Sequence, residues 1–406
     1  MKASLLLGLV LGTWAVGAIG EEFTLVHGAQ PACTIVTAPD AGPAARLAAA
    51  ELQFHVLKIT GALLPLTTDA MAPGPRILVG DSPAAAALGY SGSALAEQEY
   101  IIAFRPDTLV ILGNDEKSKD LASEQYGRTT TGETLASLRH RIDYWATVGM
   151  PDRSAGEMDL PGLFDAQATC YAVYDFLERY CGVRWYGPGA ISQVVPQSPD
   201  LVVRGEDIRR KPALAHRSAM SRGGWPFVKG QWGPCSDPEI YLFWRRMRLG
   251  GERWAANHTI HQQTIRDLLN DPAYQAQGLA QGKNLCYTNP LLVEKIAQLA
   301  RDYFDGKGEL PEGFKAMGNY FALVPEDVSL YCRCNKCRAL LKQGRDRRTG
   351  FFSSGLISNY WFSFVNAVAR ELRKTHPDKY IATLAYWEYA YPPVGFTLEP
   401  NVSIAP

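Results

Sequence analysis

The sequence predicts an α/β protein in two parts: a small α/β sandwich, then a (β/α)8-type barrel that is truncated. Three observations lead there. From Lys211 onward, strand-like and helical runs alternate, as parallel strands joined by helical crossovers require. The loops after those strands are long and hold polar and aromatic residues, which suits a barrel whose site lies at the strand C-termini. Before Lys211 the rhythm differs, with a tight hairpin and two strongly signalled helices.

The N-terminus reads as an export signal over residues 1–20. Lys2 precedes an apolar stretch from Leu5 to Ile19, and Ala18-x-Gly20 supplies small residues for cleavage near Gly20. That stretch is short for a membrane span and has signal-peptide flanks. The expected location is secreted or periplasmic, with no membrane anchor. Acidic and basic residues balance at 41 each, which excludes a strong electrostatic draw toward nucleic acid or an anionic membrane. Nine Trp and nineteen Tyr are compatible with stacking on sugar rings, although most such rings belong in a core.

The first domain is expected over residues 22–207. Residues 34–37 make a short strand. A helix over 43–60 places Leu47, Leu52, Val56 and Ile59 near helical spacing and stops at Gly61. Residues 76–80 form a strand, and 100–104 with 108–112 a hairpin across Arg105-Pro106-Asp107. Residues 114–165 read as a polar insertion with one helical stretch around 133–147. A helix over 168–180 follows, capped by Gly182, and 183–186 returns as a strand.

The second domain is expected over 211–406. Its strands are predicted at 213–220, 253–258, 284–287, 320–324, 380–387 and 402–405. Helices are predicted at 238–249 behind a capping Asp237, at 291–304 behind Pro290, and at 355–374. A closed barrel needs about eight strands, because an open parallel sheet leaves unpaired edge groups. The expectation is therefore that Pro406 is a truncation point and that further strands follow it.

The densest chemistry sits at residues 320–337. An apolar strand ends in Glu326 and Asp327, and Cys332-x-Cys334-x-x-Cys337 follows at once. Glycoside cleavage needs one protonated carboxyl for the leaving oxygen and a second carboxylate, or a substrate group, for the oxocarbenium-like state. Adjacent acids raise each other's pKa, which helps keep one protonated. Successive residues of an extended chain point oppositely, so only one need face the pocket, and Asp327 is preferred. The structural alternative is that both cap a helix or pair with arginines.

Other strand ends would add Arg217, His258, Asn289, Trp387 and Glu388 as substrate-binding groups. Arg217 has a planar fork for hydroxyls or a uronate, with a surface ion pair as its bland counterpart. Trp387 offers a stacking face, or is buried. His258-x-x-His261 invites a metal reading, but no third ligand is evident, and hydrogen bonding by His258 suits it better.

Eight cysteines in an exported chain suggest disulfides first. Cys170 and Cys181 flank a helix of roughly 16 Å rise and cannot pair while it is intact. Cys33 and Cys235 have no readable partner. Cys286 ends the predicted third strand and is expected to join Cys332, Cys334 and Cys337. Four thiolates fit structural zinc, while oxidising surroundings favour two disulfides. Either is structural, and no cofactor is expected for catalysis.

Tyr171-Ala-Val-Tyr-Asp-Phe-Leu-Glu178, followed by Gly182-Val-Arg-Trp185 and Pro188-Gly189, resembles the N-terminal domain of bacterial alpha-glucuronidases, an accessory domain also found in beta-hexosaminidases. The second half is similar to an exported bacterial family catalogued as domain of unknown function 4838. The matching pieces are Asn257-His-Thr259, Leu285-Cys-Tyr-Thr-Asn-Pro290, Asp327 with its Cys-x-Cys-x-x-Cys, and Phe364-Val-Asn-Ala367 leading to Thr383-Leu-Ala-Tyr386. Asp327 fits that pattern more firmly than Glu326. The resemblance implies a glycoside-hydrolase-like barrel acting on carbohydrate, with uronic-acid-containing or N-acetylated glycans as substrates. The competing expectations are a non-catalytic carbohydrate-binding barrel and a substrate-assisted enzyme that uses an acetamido group.

Overall fold

The computed structural model describes residues 21–115, 140–217, 235–252, 254, 256, 258–260, 266–307, 310, 316–344 and 353–405. The expected leader at 1–20, residues 133–139 of the expected insertion helix, 218–220 of the first barrel strand, Asn257 and His261 lie outside those residues. The fold is mixed α/β.

In the first unit, β1 (Glu21–His27) leads into β2 (Thr34–Val36), α1 (Pro43–Thr60), β3 (Leu66–Thr67) and β4 (Arg76–Val79). The hairpin β5 (Tyr100–Arg105) and β6 (Thr108–Gly113) turns at Pro106-Asp107, where Asp107 takes φ 53°, a left-handed conformation that Asp tolerates. After α2 (Ala168–Tyr180) come β7 (Leu201–Gly205) and β8 (Ile208–Arg210). The main sheet runs β8-β5-β6-β4-β2-β3. β8 therefore carries this unit past residue 207, to Arg210. β1 pairs antiparallel with β7 in a second small sheet.

α1 starts on Pro43 and ends on Gly61, whose φ of 78° lets its N–H return to the Leu57 carbonyl. Its many buried alanines let α2 pack closely. α2 carries Tyr171, Tyr174 and Phe176 at full burial, and both Cys170 and Cys181 are free thiols at its two ends. The insertion is less irregular than expected where it is described: Arg141–Asp143 pairs with Glu157–Asp159, and Tyr144–Thr147 is a single helical turn. Residues 184–185 pair with 193–194, outside the main sheet.

A buried ionic cluster sits at the centre of this unit. Glu51 on α1 is fully buried and accepts from Tyr144 Oη at 2.6 Å. It also takes both arms of Arg246, at 2.7 and 2.8 Å. Burial opposes the Glu51 charge, but the Arg246 guanidinium and its hydrogen bonds prevail and hold the carboxyl below its usual range. One turn on, His55 Nδ1–H donates to the Glu51 carbonyl at 2.7 Å, and its Nε2 is buried with no partner among the described residues. Burial brings the His55 pKa down from 6.5 to about 4, with Glu51 opposing and Arg246 assisting.

Acid sensitivity follows from that histidine. Between about pH 4 and 6.5 the unfolded chain binds a proton that native His55 refuses, so stability rises with pH in that window. The stabilisation is complete above the unfolded value and is lost on acidification. Moving from pH 7.5 to about pH 5 should lower unfolding free energy on the order of 2 kcal/mol through His55 alone. A urea midpoint unchanged across that range would contradict the assignment.

The second unit departs from the expected barrel. Of the first predicted strand, residues 213–217 are described and only β9 (His216–Arg217) is extended in a sheet, where it pairs antiparallel with β10 (Gly250–Gly251) rather than parallel with a barrel neighbour. Gly250 has φ 110°, and a Cβ there would lie 1.5 Å from the Leu163 carbonyl oxygen, so only bare backbone passes. Between them runs α3 (Asp237–Arg246). Its cap is Ser236, in a reciprocal capping box with Glu239, not Asp237. α3 does not cover a barrel strand either. Its Ile240, Leu242, Phe243 and Trp244 are buried in the core of the first unit.

Further on come α4 (Pro290–Phe304), β11 (Ala316–Met317), β12 (Tyr320–Ala322), α5 (Asn335–Lys342), α6 (Ser358–Arg373), β13 (Tyr380–Leu384) and β14 (Val402–Ala405). β12, β13 and β14 are parallel in that order, and β11 is antiparallel on β12. Beyond Ala322 the chain stays extended. The Thr259 and Ile260 N–H groups both reach the Val324 carbonyl at 3.1 Å, and Ile260 bridges Pro325 in parallel. Residues 258–260 thus run beside β12, where the second strand was expected.

The predicted third strand, 284–287, is not in this sheet. It pairs antiparallel with the chain at 274–276 through the Ala276 N–H to Asn284 carbonyl and the Cys286 N–H to Tyr274 carbonyl bonds. Leu285 and Tyr287 are buried among α4 and α6. A short apolar run signals burial without saying whether strands or helices cover it. The strands labelled β11 to β14 form an open sheet, and no closed ring exists among the described residues.

Candidate active site

The site lies at the carboxyl ends of β12 and β13, the edge where parallel α/β sheets present reactive groups. The chain leaves β12 through buried Leu323, Val324 and Pro325 and surfaces at Glu326 and Asp327. Thr259 fastens this exit, its hydroxyl accepting from the Val324 N–H at 3.0 Å.

His258 stands directly against Asp327. Its Nδ1 is 2.6 Å from the Pro325 carbonyl oxygen, and its Nε2 is 3.4 Å from Asp327 Oδ2. A carbonyl only accepts, so Nδ1 carries the proton there. The ring then turns Nε2 toward the carboxyl group of Asp327. Asp327 remains about half exposed, at 48%, so its carboxyl group is within reach of a ligand.

The two acids face different surroundings. Burial, followed by the charge of Asp327, keeps the buried Tyr389 hydroxyl well above its ordinary pKa. Burial and then Glu326 do the same for Tyr287, which stacks on Phe364 in the helical core. Alternation along an extended chain has this outcome.

From β13, Trp387 and Glu388 reach the same edge in a single 3-10 turn. Trp387 has φ 49°, a costly backbone conformation for a bulky residue. It is fixed by its carbonyl, which accepts from Ser354 N–H at 2.7 Å, and by the next carbonyl, which accepts from Ile357 N–H at 2.9 Å. Glu388 Oε2 accepts from the Tyr331 hydroxyl and, at 3.4 Å, from Ser329 Oγ. Burial and then this bond hold Tyr331 protonated. Glu388 thereby ties the β13 loop to the β12 loop.

Two predicted residues lie elsewhere. Arg217 is drawn to the first unit. It donates to Gln98 Oε1 at 2.7 Å, to the Arg248 carbonyl at 2.7 Å and to Tyr171 Oη at 2.9 Å, with its guanidinium 5.1 Å from the Tyr171 ring centroid. A guanidinium so committed joins these elements. Asn289 caps α4, accepting from Leu291 N–H at 3.0 Å and donating to the Ala273 carbonyl at 2.5 Å. Residue-level reading missed Tyr331, Ser329 and Tyr389. Tyr331 had one sequence signal, its place directly before Cys332.

Behind the acids, the Sγ atoms of Cys286, Cys332, Cys334 and Cys337 all lie within 4.8 Å of one another. A cleft of about 320 Å³ lined by Phe54, Lys58, Gln193, Glu239 and Arg246 belongs to the first unit and holds none of these groups.

The family model described as Domain of unknown function (DUF4838) matches residues 185–405, which is more than half of the chain. The chain belongs to this family. That span covers the acid pair, the cysteine cluster and all of β9 to β14. No curated protein matches the chain. Among solved structures, it is similar to a GH115 4-O-methyl-alpha-glucuronidase, BtGH115A, with specificity for decorated arabinogalactans, at 12% identity and TM-score 0.37, over 94% of this chain and 45% of that one. It is also similar to a Streptomyces plicatus N-acetyl-beta-hexosaminidase, at 14% identity and TM-score 0.30, over 92% of this chain and 58% of that one. A GH20 beta-N-acetylhexosaminidase from Streptomyces coelicolor A3(2) follows at 14% identity and TM-score 0.32, with the same coverage. The chain spans about half the length of these structures. None of these likenesses assigns an activity to this member of the DUF4838 family. No helix among its described residues is long and apolar enough to cross a membrane.

Proposed function

We propose that the chain is an exported glycoside hydrolase acting on polysaccharide or glycan fragments. The observation that carries this reading is the contact of His258 Nε2 with Asp327 Oδ2 at the carboxyl end of β12, with Glu388 presented from neighbouring β13. Asp327, loaded through His258, delivers the proton to the departing glycosidic oxygen. Glu388, oriented by Tyr331 and Ser329, is the carboxylate that stabilises positive charge developing on the sugar ring. Trp387 supplies an aromatic face for the ring. Glu326, beside Asp327 on the same loop, is the second candidate for that proton transfer.

The substrate class proposed, uronic-acid-containing or N-acetylated glycans, follows the family resemblance of residues 171–189 and of the second half. Export follows the N-terminal sequence around Lys2 and Leu5. A screen of the full chain against aryl glycosides, aryl N-acetylhexosaminides and glucuronoxylan fragments tests the proposal by product release. Binding of such fragments in calorimetry without release from any would identify a carbohydrate-binding protein instead.

A further inference from the structure

The four cysteines behind the acid loop converge from two distant stretches of chain. Cys286 lies in the buried turn that leads to the Asn289 cap of α4. Cys332, Cys334 and Cys337 lie on the approach to α5 and in its first turn, with Cys334 itself as the N-cap. All eight cysteines are free thiols, and Cys286, Cys332 and Cys337 are buried.

The spacing of the sulfurs discriminates between the two sulfur chemistries. Cys286 Sγ is 3.9 Å from Cys334 Sγ and 3.7 Å from Cys337 Sγ. A disulfide joins one sulfur to one other at about 2.05 Å and leaves the remaining pair free to lie elsewhere. A tetrahedral ion with Zn–S bonds of about 2.3 Å instead holds every pair of sulfurs at about 3.8 Å, the edge of the tetrahedron. One sulfur almost equidistant from two others, with all four mutually close, matches the second pattern.

Hydrogen-bond donors also surround the sulfurs. Cys332 Sγ accepts from the Gln277 N–H at 3.3 Å, and Cys334 Sγ accepts from the Cys337 N–H at 3.5 Å. The Thr288 hydroxyl lies 3.1 Å from Cys337 Sγ, within reach to donate. Donors aimed at sulfur are the outer ring that orients ligands and tunes a metal site.

We propose that Cys286, Cys332, Cys334 and Cys337 bind one structural zinc ion. Four thiols lose their protons on binding, and the four-sulfur site has no open position for water, so the ion takes no part in a reaction. Its effect is positional. Tyr331, which holds Glu388, immediately precedes Cys332, so the ion would fix the β12 loop to the starts of α4 and α5. This inference stands whether or not the sugar reading does.

The test is the metal and thiol content of the full chain, purified with neither chelator nor reductant. One zinc per chain is expected by elemental analysis, released stoichiometrically when a mercurial titrates the thiols. Loading with cobalt should produce the sulfur-to-metal absorption of a tetrahedral thiolate site. Cys286→Ser and Cys337→Ser should each reduce bound zinc more than tenfold, while Cys33→Ser retains one per chain. If chain purified without metal takes up one zinc and its four thiols become protected from alkylation, the proposal stands. Failure to take up zinc overturns it, as does a non-reduced intact mass four hydrogens lighter with no metal, which would establish two disulfides. Should the serine variants not fold, the metal content and cobalt spectrum of the unaltered protein decide alone.

Discussion

Asp327→Asn lowers turnover roughly 10²–10⁴-fold on whichever glycoside the unaltered chain cleaves, the range for losing a positioned general acid. The melting temperature stays nearly unchanged, because Asp327 is half exposed and meets His258 at 3.4 Å. His258→Gln should reproduce part of the loss by removing the ring that stands against the Asp327 carboxyl group. An aryl glycoside with a good leaving group needs less protonation, so the loss should be smaller on such a substrate than on a natural linkage. Full activity in Asp327→Asn, accompanied by lost stability, would make this residue structural and end the catalytic assignment.

Glu51→Gln unfolds the first unit more easily by about 3–5 kcal/mol, the cost of leaving a buried charge without its partner. Arg246 would keep its full charge at 3% exposure with nothing opposite. For a region of this size the thermal midpoint should fall by roughly 10 °C. Replacing both partners with apolar residues, Glu51→Met with Arg246→Leu, should recover much of that, since no charge then remains to be solvated. A Glu51→Gln protein that melts within a degree of the original would show that water reaches Arg246.

The sequence announced the first unit well and the second unevenly, for reasons that differ by residue. Pro43, Gly61 and the Pro106-Asp107 turn are local chemistry: each fixes backbone angles without help from distant chain, and each element they bound is found. β12, β13 and β14 were legible because β-branched and aromatic runs sit between clear helices. The stretch Leu285-Cys-Tyr287 has the same composition, yet α4 and α6 cover it, and a three-residue run carries no period to separate the cases. α3 was recognised as a helix but assigned to the wrong neighbour, since an amphipathic face declares that it is buried and not against what. Within the site, the closeness of His258 to Asp327 joins residues far apart in sequence and had no local signal. The partners of Arg217 had no local signal for the same reason, because Gln98, Tyr171 and Arg248 become its neighbours only after folding.

α3 lies after the segment that looks like a domain linker, yet it completes the core before that segment. Phe243 and Trp244 fill the first core, and Arg246 neutralises Glu51 there. During synthesis, then, the first unit cannot finish when residue 210 leaves the ribosome. Its core stays open, with a buried carboxylate awaiting its cation, until about residue 250 has emerged. A chain break ahead of α3 would not release either half, because the fragment beginning with α3 remains the missing wall of the fragment before it.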